Sequence, residues 1–131
     1  MSLKDEQIAS INIVNWFHET FPEFADDFHH FANERRCSQH EGRTLKRMGV
    51  KRGVPDYFLA LSCGGYHGMW MEVKVGKGKL LKEQIDFLDR KTKRGYMCMA
   101  VWGEEAAKAF ILSYMDLLKT NCFINKPKNC E

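Results

Sequence analysis

The chain has 131 residues, 44% hydrophobic and 28% charged, with a formal net charge of +3. That length holds one domain around one core, and no apolar run approaches the ~20 residues that a membrane-spanning helix needs. The opening Met1-Ser2-Leu3-Lys4-Asp5-Glu6 has neither the basic nor the apolar region of a secretory signal, which predicts a cytoplasmic protein.

The net charge hides an asymmetry, because residues 1–34 carry −6 and residues 35–131 carry +9. The basic residues gather between Arg35 and Arg52 and again between Lys74 and Arg94, as a polyanion track would require. The five cysteines (Cys37, Cys63, Cys98, Cys122, Cys130) form no CxxC pair, so reduced thiols are expected and a zinc site is not.

Ser2 and Asp5 have the spacing of a capping box that opens a helix. Ile8, Ile11, Val14, Phe17 and Phe21 then recur at helical spacing, and Pro22 ends the run. Glu6 extends the inner stripe of this helix, standing one helical repeat before Ile13 and another turn further from Phe17. Residues 28–33 read as a short strand, in which His29 and His30 alternate with aromatics and read as packed or surface histidines.

Residues 43–47 read as a brief helix ended by Gly49. The turn Lys51-Arg52-Gly53-Val54-Pro55 feeds an extended run over 56–61, Cys63-Gly64-Gly65 reverses it, and residues 69–75 return as the second arm of a hairpin. In the returning arm Trp70, Glu72 and Lys74 share one face, while Met71, Val73 and Val75 share the other.

A basic loop, Gly76-Lys77-Gly78-Lys79, precedes a helix marked by Leu81, Gln84, Ile85 and Leu88. A third strand follows Gly95 over 96–102, and Gly103-Glu104-Glu105 opens a last helix with Ala107, Phe110, Ile111, Tyr114, Leu117 and Leu118 on its inner side. Residues 120–131 read as a loosely held tail beyond a core of about 4–119. The predicted architecture is a single α/β domain, a mixed β-sheet flanked by helices, built from a hairpin and a strand–helix–strand crossover.

Asp56 and Glu72 lie in these strand-like runs, and carboxylates there are expensive to bury unless a divalent cation compensates them. Both can hold Mg²⁺ or Mn²⁺, and the backbone carbonyl of Val73 can complete the set. Lys74, on the same face as Glu72, can orient a water and stabilise charge developing on a phosphodiester. No organic cofactor is implied.

Pro55-Asp56 followed by Glu72-Val73-Lys74 resembles the PD-(D/E)xK nuclease signature. With Met48-Gly49-Val50-Lys51-Arg52-Gly53-Val54 before it, the Gly-rich hairpin, Lys79-Leu80-Leu81-Lys82-Glu83-Gln84 and Gly95-Tyr96, the chain resembles the VRR-NUC (virus-type replication-repair nuclease) family over residues 4–116. The resemblance implies a restriction-endonuclease-like fold and a metal-dependent catalytic core carried by Asp56, Glu72 and Lys74. It adds Gln84 and Glu6 to the active site and sets Asn33-Glu34 near the catalytic face.

Small standalone members from phages and bacteria resemble Holliday-junction resolvases and act as homodimers. The expectation is therefore a homodimeric endonuclease for branched DNA, with Asn33, Arg35, Arg36, Arg43, Lys46, Arg47, Lys51, Arg52, Lys77 and Lys79 on the nucleic acid. A flap or restriction-type nuclease, or a noncatalytic nucleic-acid-binding module, is the alternative.

Overall fold

The computed structural model describes residues 4–32 and 38–124, with side chains through Leu118. Asn33, Glu34, Arg35, Arg36 and Cys37 therefore lie outside the described residues, as do Ser2 and 125–131. The elements run α1 (Asp5–Thr20), a 3₁₀ turn (Pro22–Asp27), β1 (Phe28–His30), α2 (Gln39–Arg47), β2 (Tyr57–Leu59), β3 (Met69–Lys74), α3 (Lys82–Lys93), β4 (Met97–Trp102) and α4 (Glu104–Ile124). No described helix is long and apolar enough to cross a membrane.

The described strands form one mixed sheet in the order β1-β2-β3-β4. β2 and β3 pair antiparallel, Tyr57 opposite Met71 and Leu59 opposite Met69. The turn expected at Cys63-Gly64-Gly65 closes the connection: Cys63 and Tyr66 exchange backbone hydrogen bonds of 3.2 and 2.9 Å around two positive-φ glycines. α3 then carries the chain across to β4, which runs parallel to β3. The predicted mixed α/β architecture is the one observed.

Odd-numbered β3 residues enter the core. Met69 and Met71 are fully buried with Ile13, Phe17, Tyr57, Leu59, Ile111 and Tyr114, so α1 and α4 cover this face. The opposite face carries α3, where the Trp70 ring meets Phe87 edge-on at 4.9 Å.

Several element-level expectations need correction. Lys4 stands at the N-cap of α1, its N–H donating to Gln7 Oε1 at 2.9 Å. The buried stripe of that helix is Ala9, Ile13 and Phe17, whereas Ile8 and Ile11 are 42% and 47% exposed. Of the stripe expected for α3, Gln84 and Leu88 turn inward, joined by Phe87 and Lys91, whereas Leu81 and Ile85 face solvent. Asp56 sits in the bend before β2, and α4 continues to Ile124, past the expected start of the tail. α2 is longer than expected, begins at a Ser38 cap that accepts from the Glu41 N–H, and buries no residue.

Candidate active site

The hairpin brings Asp56 and Glu72 together. The Asp56 N–H donates to Glu72 Oε2 at 3.2 Å, and the Val73 N–H donates to Asp56 Oδ2 at 3.0 Å. Lys74 Nζ stands 3.4 Å from Glu72 Oε1. Gln84, in the first turn of α3, donates through Nε2 to the same oxygen at 2.9 Å, while its Oε1 accepts the Leu81 N–H at 2.8 Å. One amide thus caps α3 and holds Glu72. The four residues read as the catalytic core share one site.

Glu72 is only 3% exposed. Burial, and then the charge of Asp56, push its carboxyl up to about 7, with Lys74 and the Asp56 N–H opposing. Burial likewise raises Asp56, against the Val73 N–H and the charges of His30 and Lys74. Two like charges in a poorly hydrated place hold a proton between them unless a stronger positive charge replaces it.

The donor set fits a hard divalent cation. It offers carboxylate oxygens from the bend before β2 and from β3, and Mg²⁺ sites commonly use one or two carboxylates with waters completing the shell. The main-chain oxygen of Val73 faces the same edge as its N–H, toward Asp56. Continuing the β2–β3 register sets Pro55 opposite Val73, and a proline offers that carbonyl no N–H. Among the described residues no group of three or more His, Cys, Asp or Glu side chains could hold an ion together. Asp56, Glu72 and the Val73 carbonyl are the groups that could hold such an ion.

Gly53 positions the approach to Asp56. It has φ +84°, and a Cβ built on it would lie 2.6 Å from the backbone carbon and oxygen of Glu83. The loop therefore touches the first turn of α3, one residue before Gln84, at van der Waals distance only because residue 53 has no side chain.

A cavity of about 810 Å³ opens beside Asp56, between α1 and the sheet. Glu6 lines it, exposed, on the same cavity wall as Lys4, Gln7 and Ser10. His30 and Phe31 line it too. The His30 ring stacks on Tyr57 at 4.7 Å, and its pKa is lowered by burial against the opposing charge of Asp56. Sequence reasoning left both residues out of the site. What brings them there is the β1 register, which continues to the Phe31 N–H donating to the Asp56 carbonyl at 2.7 Å.

Arg43, Lys46, Arg47, Lys51 and Arg52 are exposed on α2 and the loop after it, as are Lys77 and Lys79 after β3. Asn33, Arg35 and Arg36 lie outside the described residues.

No family model matches the chain, and no curated protein matches it. A solved structure described as a VRR_NUC domain protein superimposes with a TM-score of 0.76 at 26% identity, covering 89% of this chain and 93% of that one. Nearly the whole of each chain shares one fold, and the resemblance first carried by Asp56, Glu72, Lys74 and Gln84 extends to that fold. The chain has the fold of a VRR_NUC domain protein and is similar to it over nearly its whole length.

Proposed function

We propose that this domain is a divalent-metal-dependent, structure-selective endonuclease that cuts branched DNA, four-way junctions above all, as a homodimer. The observation that carries the nuclease reading is the buried Glu72 joined to the half-buried Asp56, with Lys74 Nζ 3.4 Å from Glu72. Mg²⁺ or Mn²⁺, when bound, supplies charge neutralisation at the phosphate under attack.

The protein's own groups do the rest by preorganisation. Val73 N–H fixes Asp56, and Gln84 Nε2 fixes Glu72, so neither carboxylate has to be ordered as the substrate arrives. Lys74 keeps its ammonium at the site while its side chain remains 18% exposed. From there it can orient a water and donate to a nonbridging oxygen as charge builds there. The exposed basic side chains of α2 and of the loop after β3 lie before and after the site in sequence, suited to phosphate contacts that position DNA without reading it. The homodimer follows from the symmetry of a junction, whose two incisions a two-fold pair of sites would make.

The test incubates the purified protein with labelled four-way junction, flap, linear duplex and single strand in Mg²⁺, Mn²⁺ or EDTA. Paired symmetric cuts in the junction, lost in EDTA, are expected. Cutting at one duplex sequence would replace the junction reading with a restriction-type one. Binding without cleavage under either metal would leave a nucleic-acid-binding module.

A further inference from the structure

A phosphate recess needs cations and hydrogen-bond donors, and the cavity beside Asp56 is built differently along much of its wall. From Asp56 it runs past Val73 on β3, Val75 just after that strand and Ile11 and Val14 on α1, with His30 and Phe31 on the β1 side. Ile11 is 47% exposed and Phe31 36%, so apolar surface is left uncovered next to the catalytic carboxylates. The Phe31 ring lies at 28° to that of Trp70 with centroids 6.1 Å apart, which holds it in place while part of it stays open. At about 810 Å³ the cavity falls within the ~300–1,000 Å³ of recesses that take small organic ligands.

The chemical group attached to a scissile phosphate that suits apolar and aromatic walls is a base. Stacking on an aromatic face tolerates any base, because each has a π-face. A paired base is held inside the duplex and reaches such a recess only when unstacked. We propose that this cavity receives an unpaired nucleobase adjacent to the scissile phosphate, without reading its identity, and that Phe31 is its stacking platform. The subsite rests on the nuclease reading above and gives it a reason to prefer branched DNA: a branch point supplies the unpaired nucleotide that linear duplex withholds.

The test removes the base instead of a side chain. Wild-type protein with Mn²⁺ receives a cleavable branched DNA in which each nucleotide flanking the cut is replaced in turn by a tetrahydrofuran abasic analogue. One position should cut about ten- to a hundredfold slower, the range that stacking of one base supplies. Phe31→Ala should lose a similar factor on intact DNA and become indifferent to the abasic replacement, and Phe31→Tyr should restore both. Equal cutting at every abasic position overturns the subsite, and that arm stands on wild-type protein even if Phe31→Ala fails to fold. An equal loss by Phe31→Ala on intact and abasic DNA overturns it as well. Should wild-type protein cut no DNA, 2-aminopurine placed at the branch decides by binding in EDTA. Quenching by wild-type protein and not by Phe31→Ala keeps the subsite while the nuclease reading falls alone; no difference overturns the subsite too.

Discussion

Alternate residues of β3 lie in different surroundings. Met69 and Met71 point under α1 and α4, both at 0% exposure, among aliphatic and aromatic side chains. Trp70, Glu72 and Lys74 point the other way, toward α3, where a carboxylate is buried beside an amide, an amine and a second carboxylate. Two helices close the first face, and one helix covers part of the second. A single strand can therefore contribute to the core and to the chemistry at once, because its side chains alternate with a period of two. The two faces should also fail separately.

The largest effects should come from exchanging one neighbour for the other. Glu72→Gln should lower cleavage by more than about a thousandfold, since several kcal/mol of charge stabilisation vanish with the ligand, and thermal melting should show no loss of stability above neutral pH in EDTA. Met71→Ala should cost about 2–5 kcal/mol of stability while each folded molecule cuts at the wild-type rate. Comparable rate losses per folded molecule in the two variants would show that the faces are not independent.

Gly53→Ala sharpens the same contrast at the edge of the site. Its φ of +84° and its contact with Glu83 both oppose a side chain, whereas Gly49 has φ +90° and nothing within 4 Å. Both substitutions carry the left-handed strain of about 1–2 kcal/mol. Only Gly53→Ala must also displace the first turn of α3 and with it Gln84. Urea melts should give a larger loss for Gly53→Ala than for Gly49→Ala, with a cleavage defect confined to Gly53→Ala.

The pH dependence is smaller and has a definite sign. Folding raises the Glu72 carboxyl from its ordinary 4.5 to about 7. A raised carboxyl favours the folded state while protonated in it, so its contribution is complete below about 4.5 and is lost as pH rises toward 7. In EDTA the melting temperature should fall between those values in wild-type protein and less in Glu72→Gln. Mg²⁺ or Mn²⁺ should restore more stability at pH 8 than at pH 5 if a cation takes the proton's place. The mildest effect belongs to α2, where replacing Arg43 or Lys46 with Gln should reduce the salt slope of DNA binding by about 1 each, uniformly across sequences.

The hairpin, the crossover and the meeting of Asp56, Glu72, Lys74 and Gln84 were legible because their signals are local. Alternation sorts Glu72 from Met71, glycines mark the turns, and Gln84 falls in the helix that must follow β3 to build a parallel pair. The inner faces of α1 and α3 were less legible. Ile8 and Ile11 obey helical spacing as well as Ile13 does, and periodicity finds an apolar stripe without saying what covers it. Ile11 and Val14 line the cavity instead. In α3, Phe87 turns inward because Trp70 waits for it on the sheet, a contact between residues 17 apart that no local pattern encodes. His30 and Phe31 join the site only through pairing of β1 with β2, which is a long-range event.

The far end of the hairpin is fastened as firmly as the end that holds Asp56 and Glu72. Tyr114 Oη donates to the Leu61 carbonyl at 2.6 Å, and Gly64 lies so close to Leu117 that a Cβ would meet it at 2.8 Å. A strand slipped by one residue would send Glu72 into the methionine core and Met71 out to the side where Lys74 stands. Fastening the turn to α4 fixes the residue count between it and Asp56 on one arm and Glu72 on the other. The connection over residues 60–68 thus acts as a ruler. One inserted residue that the loop did not absorb would reverse which side chains face the core, so a loop remote from the chemistry helps to set the register of the carboxylates.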